Sequence, residues 1–98
     1  MAELRFEWDK RKAADNRRKH GVSFEEAQTV FSDEHAILID DPDHSLEEER
    51  FLLLGLSANF RTLVVAHCSR EGDDSIRIIS ARKATRMERN IYNRRWRR

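Results

Sequence analysis

His67, Arg70, Arg77, Arg82 and Lys83 are of the residue types that handle phosphate esters, and they fall within one short stretch of this 98-residue chain. Guanidinium and ammonium groups form charge-assisted hydrogen bonds to phosphate oxygens, and an imidazole exchanges protons near neutral pH. Cleavage of RNA by its own 2′-hydroxyl wants little more than a base near that hydroxyl, cations on the phosphate and an acid for the leaving oxygen. A competing reading makes His67 a half-buried strand histidine bonded to backbone, and the arginines a salt-bridged surface. Other chemistries are poorly supplied. His67 and Cys68 are neighbours on a strand and point to opposite faces, so they cannot form a Cys–His pair. Cys68 reads as a small buried hydrophobe. There is no Gly-x-Ser-x-Gly elbow and no phosphate-cradling glycine loop. Asp40, Asp41, Asp43, His44 and Glu47 cluster without the spacing of a calcium loop, and one cysteine with scattered histidines does not make a zinc site. No metal and no cofactor is expected.

Composition narrows the classes further. The chain is 39% apolar and 38% charged, with a net charge of +1. That small value hides segregation: residues 1–20 carry +3, residues 21–50 carry −9, residues 51–76 carry −1 and residues 77–98 carry +8. A bipolar surface with one end suited to polyanions is expected, unless the two ends neutralise each other across the fold. The length suits one domain over residues 1–98. A single cysteine excludes a disulfide scaffold, and no apolar run approaches a membrane span or a signal-peptide core. The expected location is cytoplasmic, with no membrane partner.

These residues need elements to hold them. Leu4 to Trp8 alternates as a short strand. Asp9 is placed as an N-cap, and a charged helix runs to His20 with Gly21 as its stop. Having only Ala13 and Ala14 as apolar residues, that helix belongs on the surface. Ser23-Phe24-Glu25-Glu26 is a capping box, and Phe24, Ala27 and Phe31 form the buried face of a second helix. Strands are expected over Ala36–Asp40, Arg50–Leu56, Arg61–Ser69 and Ser75–Ala81, joined by turns at 41–45, 57–60 and 71–74. Thr85-Arg86-Met87-Glu88 is a second capping box, opening a basic helix whose inner face holds Met87 and Ile91. The result is an α+β fold, an antiparallel sheet with helices on one face.

The sequence resembles the BrnT family of small ribonuclease toxins of type II toxin–antitoxin systems. The resemblance is carried by Phe6-Glu7-Trp8-Asp9, by Arg18 to Ala27 (RKHGVSFEEA), by Asp43-His44-Ser45, by Glu48-Glu49-Arg50-Phe51, by Gly55 with Ser57, and by Ile76 to Thr85 (IRIISARKAT). It runs from residue 6 to about residue 92, nearly the whole chain. Lys10 departs from the proline often found there, a helix-start preference that touches no chemistry. The resemblance implies a RelE-like fold, metal-independent endoribonuclease activity and inhibition of translation. It implies neutralisation by a BrnA-like antitoxin, a ribbon-helix-helix DNA-binding protein, with operator DNA met only through that partner and a possible dimer within the complex. In that frame His67, Arg70, Arg77, Arg82 and Lys83 are the expected catalytic and phosphate-binding set. Arg61, Arg86, Arg89 and Tyr92 are expected to bind RNA. Two readings from other classes remain: a nucleic-acid-binding module without turnover, and a protein-interaction module.

Overall fold

In the computed structural model, which describes residues 4–40, 50–69 and 74–96, the chain starts with β1 (Arg5–Glu7) and α1 (Lys10–His20). Next comes α2 (Phe24–Thr29), continued by a 3-10 turn (Val30–Ser32). There follow β2 (Ile37–Asp40), β3 (Arg50–Leu56), β4 (Thr62–Ser69), β5 (Ser75–Lys83) and α3 (Arg86–Trp96). The helix boundaries have local causes. The Asp9 carboxylate accepts the Arg11 and Lys12 amides at 2.8 and 3.1 Å, which starts α1. Gly21, at φ 69°, ends it and donates its N–H to the Arg17 carbonyl. The Ser23 hydroxyl caps α2, but Glu26 turns inward instead of reaching back. At Thr85 the capping box closes both ways, with Glu88 accepting the Thr85 amide and Thr85 accepting the Glu88 amide.

The sheet order is β1-β5-β4-β3-β2. It is mixed, because β1 pairs parallel to β5 while the other neighbours are antiparallel. The helices also divide between its faces, contrary to the one-sided arrangement expected from the sequence. Val22, Phe24, Ala27 and Val30 pack with Leu53, Leu63, Val65, Ile78 and Ala81 on one face. Tyr92 and Ala84 pack with Leu54 and Val64 on the other. Alternation along β3 and β4 explains how both helical layers find apolar surface. The inner face of α3 is therefore the Tyr92 side. Met87 and Ile91, expected inside, are 73% and 42% exposed.

One irregularity sets the rest of β5. Ala66 pairs with Ser80 and His67 with Ile78, so Ile79 has no partner on β4. This bulge resets the alternation. Ile78 and Ala81, three apart, both face the α1/α2 core, and Arg77 and Arg82, five apart, both face the opposite side. Just past the bulge, β1 no longer covers β5, and Asn16 of α1 takes its place. Its amide nitrogen donates to the carbonyls of Ala81 and Val22 at 2.8 and 2.9 Å, and its oxygen accepts the Ala81 amide at 3.0 Å. Close approach elsewhere depends on Gly55, where a Cβ would lie 2.9 Å from Val30 Cγ1 and 3.0 Å from the Ala36 Cβ. Replacing Asn16 by Leu orphans an amide and two carbonyls, and it should cost about 2–4 kcal/mol of stability. Urea unfolding of the variant, with an unchanged denaturant slope, measures this.

Candidate functional site

The residues expected to act together do not converge on one spot. His67 and Lys83 lie on the side of the sheet covered by α1 and α2, whereas Arg77 and Arg82 lie on the other side. Arg70 and the acidic run 41–49 fall outside the described residues. Lys83 is exposed at the end of β5.

His67 is 3% exposed. Its ring meets Phe31 edge-on at 4.8 Å between centroids and leans over Phe51 at 6.1 Å. Nδ1 lies 3.2 Å from the Val65 carbonyl, which can only accept, so the neutral ring carries its proton there. Burial drives its pKa below the ordinary histidine value, against the opposing pull of the Val65 carbonyl. A ring so enclosed has no path to a substrate in this structure, and its geometry is that of the packed strand histidine.

Several expected ligands of RNA are likewise engaged by the fold. Arg61 makes Nε and Nη2 contacts to both oxygens of the buried Glu26 carboxylate, and Nη2 reaches the Gly21 carbonyl at 3.0 Å. The Ser57 hydroxyl donates to the same carboxylate at 2.7 Å. Arg61 foremost holds Glu26 below the usual carboxylate range, despite burial. Arg82 forks onto Glu88, with Nη1–Oε1 at 2.7 Å and Nη2–Oε2 at 3.0 Å. That pairing, opposed by burial and helped by the Thr85 amide, pulls Glu88 down to about 2. Arg89 donates to the Ala84 carbonyl at 2.9 Å. Tyr92, 2% exposed, donates its hydroxyl to Asp33 and fills the α3 core, so its ring is not presented to a ligand. Arg86 alone of that set is exposed with no bond of its side chain among the described residues.

Arg77 is different. Its side chain has no ion pair or hydrogen bond among the described residues. It stands in a cross-strand row on the sheet face opposite α1 and α2: Glu7 on β1, Arg77 on β5, Cys68 on β4 and Arg50 on β3 are register partners in turn. Adjacent strands lie ~4.8 Å apart, so neighbours in the row are within side-chain reach. Beside this row, Ile39, Leu52, Ala66 and Ser80 are partners in the next same-face row. The α3 helix covers the far end of this face, over Leu54 and Val64. A carboxylate, a thiol and two guanidiniums across four strands are groups that can bind a phosphodiester and take the proton of a neighbouring hydroxyl. Sequence reading found Arg77 but missed Glu7 and Arg50. The strand alternation was visible, but the pairing of β1 with β5 was not.

The lowered pKa of His67 has a signed consequence. Its neutral form is favoured by folding, so the contribution is complete above the unfolded value near 6.5 and is lost as pH falls below it toward the folded value. The melting temperature should decline from pH 7 to pH 5. The decline should be smaller in His67→Gln, which should also be less stable at pH 7. Calorimetry across that range checks both.

Comparison with known proteins agrees with this architecture. A family model described as the ribonuclease toxin BrnT of type II toxin–antitoxin systems matches residues 8–88. The crystal structure of the Brucella abortus ribonuclease toxin BrnT is similar with a TM-score of 0.66 at 21% identity, covering 86% of this chain and 100% of that one. At that identity the structural likeness speaks to the fold. No curated protein sequence matches the chain. Because the family model spans most of the chain, from Trp8 to Glu88, this protein belongs to the BrnT family of type II ribonuclease toxins.

Proposed function

We propose that this protein is a metal-independent endoribonuclease that works in the cytoplasm and arrests translation, with the Glu7–Arg77–Cys68–Arg50 row as its catalytic surface. The observation that carries this reading is Arg77, a strand-borne cation without an intramolecular partner among the described residues, flanked in register by a carboxylate. In the proposed step the Glu7 carboxylate takes the proton of the RNA 2′-hydroxyl. The freed oxygen attacks the adjacent phosphorus, and the bond to the 5′-oxygen breaks. That oxygen takes a proton from water, leaving a 2′,3′-cyclic phosphate and a 5′-hydroxyl. Arg77 stabilises the extra negative charge on the phosphorane, with Arg70, which follows Ser69 directly in the chain, as a second cation. Membership of a type II toxin family implies a protein antitoxin. We take it to be BrnA-like, a ribbon-helix-helix protein that brings the complex to operator DNA. The exposed stripe of α3, Met87 and Ile91 beside Arg94 and Arg95, suits such a partner better than the buried Tyr92.

Purified protein should cleave RNA equally well with and without EDTA; activity lost to EDTA and restored by magnesium or manganese rejects the metal-free mechanism. Arg77→Ala should lose a transition-state contact of ~2–4 kcal/mol, or roughly 30- to 1,000-fold in rate. Its melting temperature should hold, since no ion pair or hydrogen bond of the side chain is lost among the described residues. Full activity in that variant removes the row from the mechanism.

A further inference from the structure

The hairpin between β3 and β4 presents an aromatic ring that the core does not use. Its loop residues are Ala58, Asn59 and Phe60, closed by Ser57 N–H to the Arg61 carbonyl and Phe60 N–H to the Ser57 carbonyl, each at 2.9 Å. Such a turn ends in a left-handed residue, usually glycine or asparagine. Here Phe60 holds it, at φ 62°, the one non-glycine residue with positive φ among the described residues. A bulky side chain is strained there. Packing returns nothing for the strain, because Phe60 is 84% exposed. The loop is also over-determined: the Ser57 hydroxyl accepts the Asn59 and Arg61 amides at 3.2 and 3.3 Å, and the Ala58 amide donates to Thr29 Oγ1 at 2.8 Å. The ring is thus held out into solvent by a rigid support.

Its surroundings are polar and cationic. Asn59 and Arg61, on either side of Phe60, line a surface groove with Arg17, Gly21 and Ser23. Arg17, in the last turn of α1, is exposed on that groove. Of the nearby acids, Glu26 is paired with Arg61 and Asp15 with Arg18, leaving Glu25. An aromatic face among cations is where unpaired bases stack and their phosphates pair.

We propose that Phe60 is a stacking platform for an unpaired base of the RNA substrate, with Arg17 taking a flanking phosphate. This rests on the ribonuclease reading but concerns a different place. Residues 62–68 of β4 separate the hairpin from the Cys68 row, a span of about 20 Å at ~3.3 Å per residue. The platform therefore holds a part of the RNA remote from the scissile bond.

The test uses fluorescence anisotropy with a 2′-O-methyl oligoribonucleotide, which cannot supply the attacking hydroxyl, over a series of salt concentrations. Phe60→Gly should weaken binding by roughly 5- to 150-fold, with the salt slope unchanged, because stacking releases no counterions. Its melting temperature should not fall, since glycine relieves the backbone. Phe60→Trp should bind at least as tightly as the parent, and Arg17→Ala should lower the salt slope. If the parent cleaves unmodified RNA and Phe60→Gly binds the oligonucleotide undiminished, the platform is rejected and the ribonuclease reading stands. If the parent neither cleaves nor binds RNA, both fall.

Discussion

The carboxamide of Asn16 is the contact on which the arrangement of this fold depends. It bonds both backbone groups of Ala81 and the carbonyl of Val22, so one side chain joins α1, the start of α2 and β5. It does so where β5 has just passed its bulge and lost β1 as a neighbour. An open strand edge there would leave buried amide and carbonyl groups without partners. By closing it, Asn16 stabilises the shifted alternation that keeps Ala81 in the core and Arg82 on the opposite face. The side chain is almost the only buried residue of a helix whose other polar positions are solvated.

Two of the cations expected to bind RNA are committed to holding elements together. Arg61 binds Glu26 and the end of α1, which ties two helices to the β3–β4 hairpin. Arg82 binds Glu88 and so fixes the entry of α3. Each carboxylate in turn accepts bonds from a second group, Ser57 or the Thr85 amide, which satisfies its remaining lone pairs. The charge segregation along the chain is thus partly an internal matter. Among the described residues, the cations left for a polyanion include Arg77 on the sheet, Lys83 at the end of β5, the last turn of α1 and the outer side of α3.

Local signals were legible in the sequence because they are local physics. Asp9, Gly21, Ser23 and Thr85 are caps whose bonds span two to four residues, and each acts as expected. Strand positions followed from alternation and turn residues. The cross-strand row was not legible, because it depends on a parallel pairing between residues seventy apart in the chain. Neither was the bulge at Ile79, which period-two counting reads as an uninterrupted strand. Tyr92 and His67 were ambiguous for the same reason: an aromatic or imidazole ring suits a core as well as a ligand, and only burial decides. Asn16 gave no signal, since a polar residue in a charged helix looks solvated.

The pairing of β1 with β5 also governs when the molecule can be completed. Hairpins β2–β3 and β3–β4 and the capped helices need only nearby residues and can form early. Arg5–Glu7 must wait, for among the described residues its one neighbour in the sheet is Ser75–Arg77. Closing so long a loop carries an entropic cost that short-range contacts do not. During synthesis, which proceeds from the N-terminus, the strand that bears Glu7 is made long before its partner β5 and must wait for it. A nascent chain lacks the juxtaposition of Glu7 with Arg77 until β5 has left the ribosome.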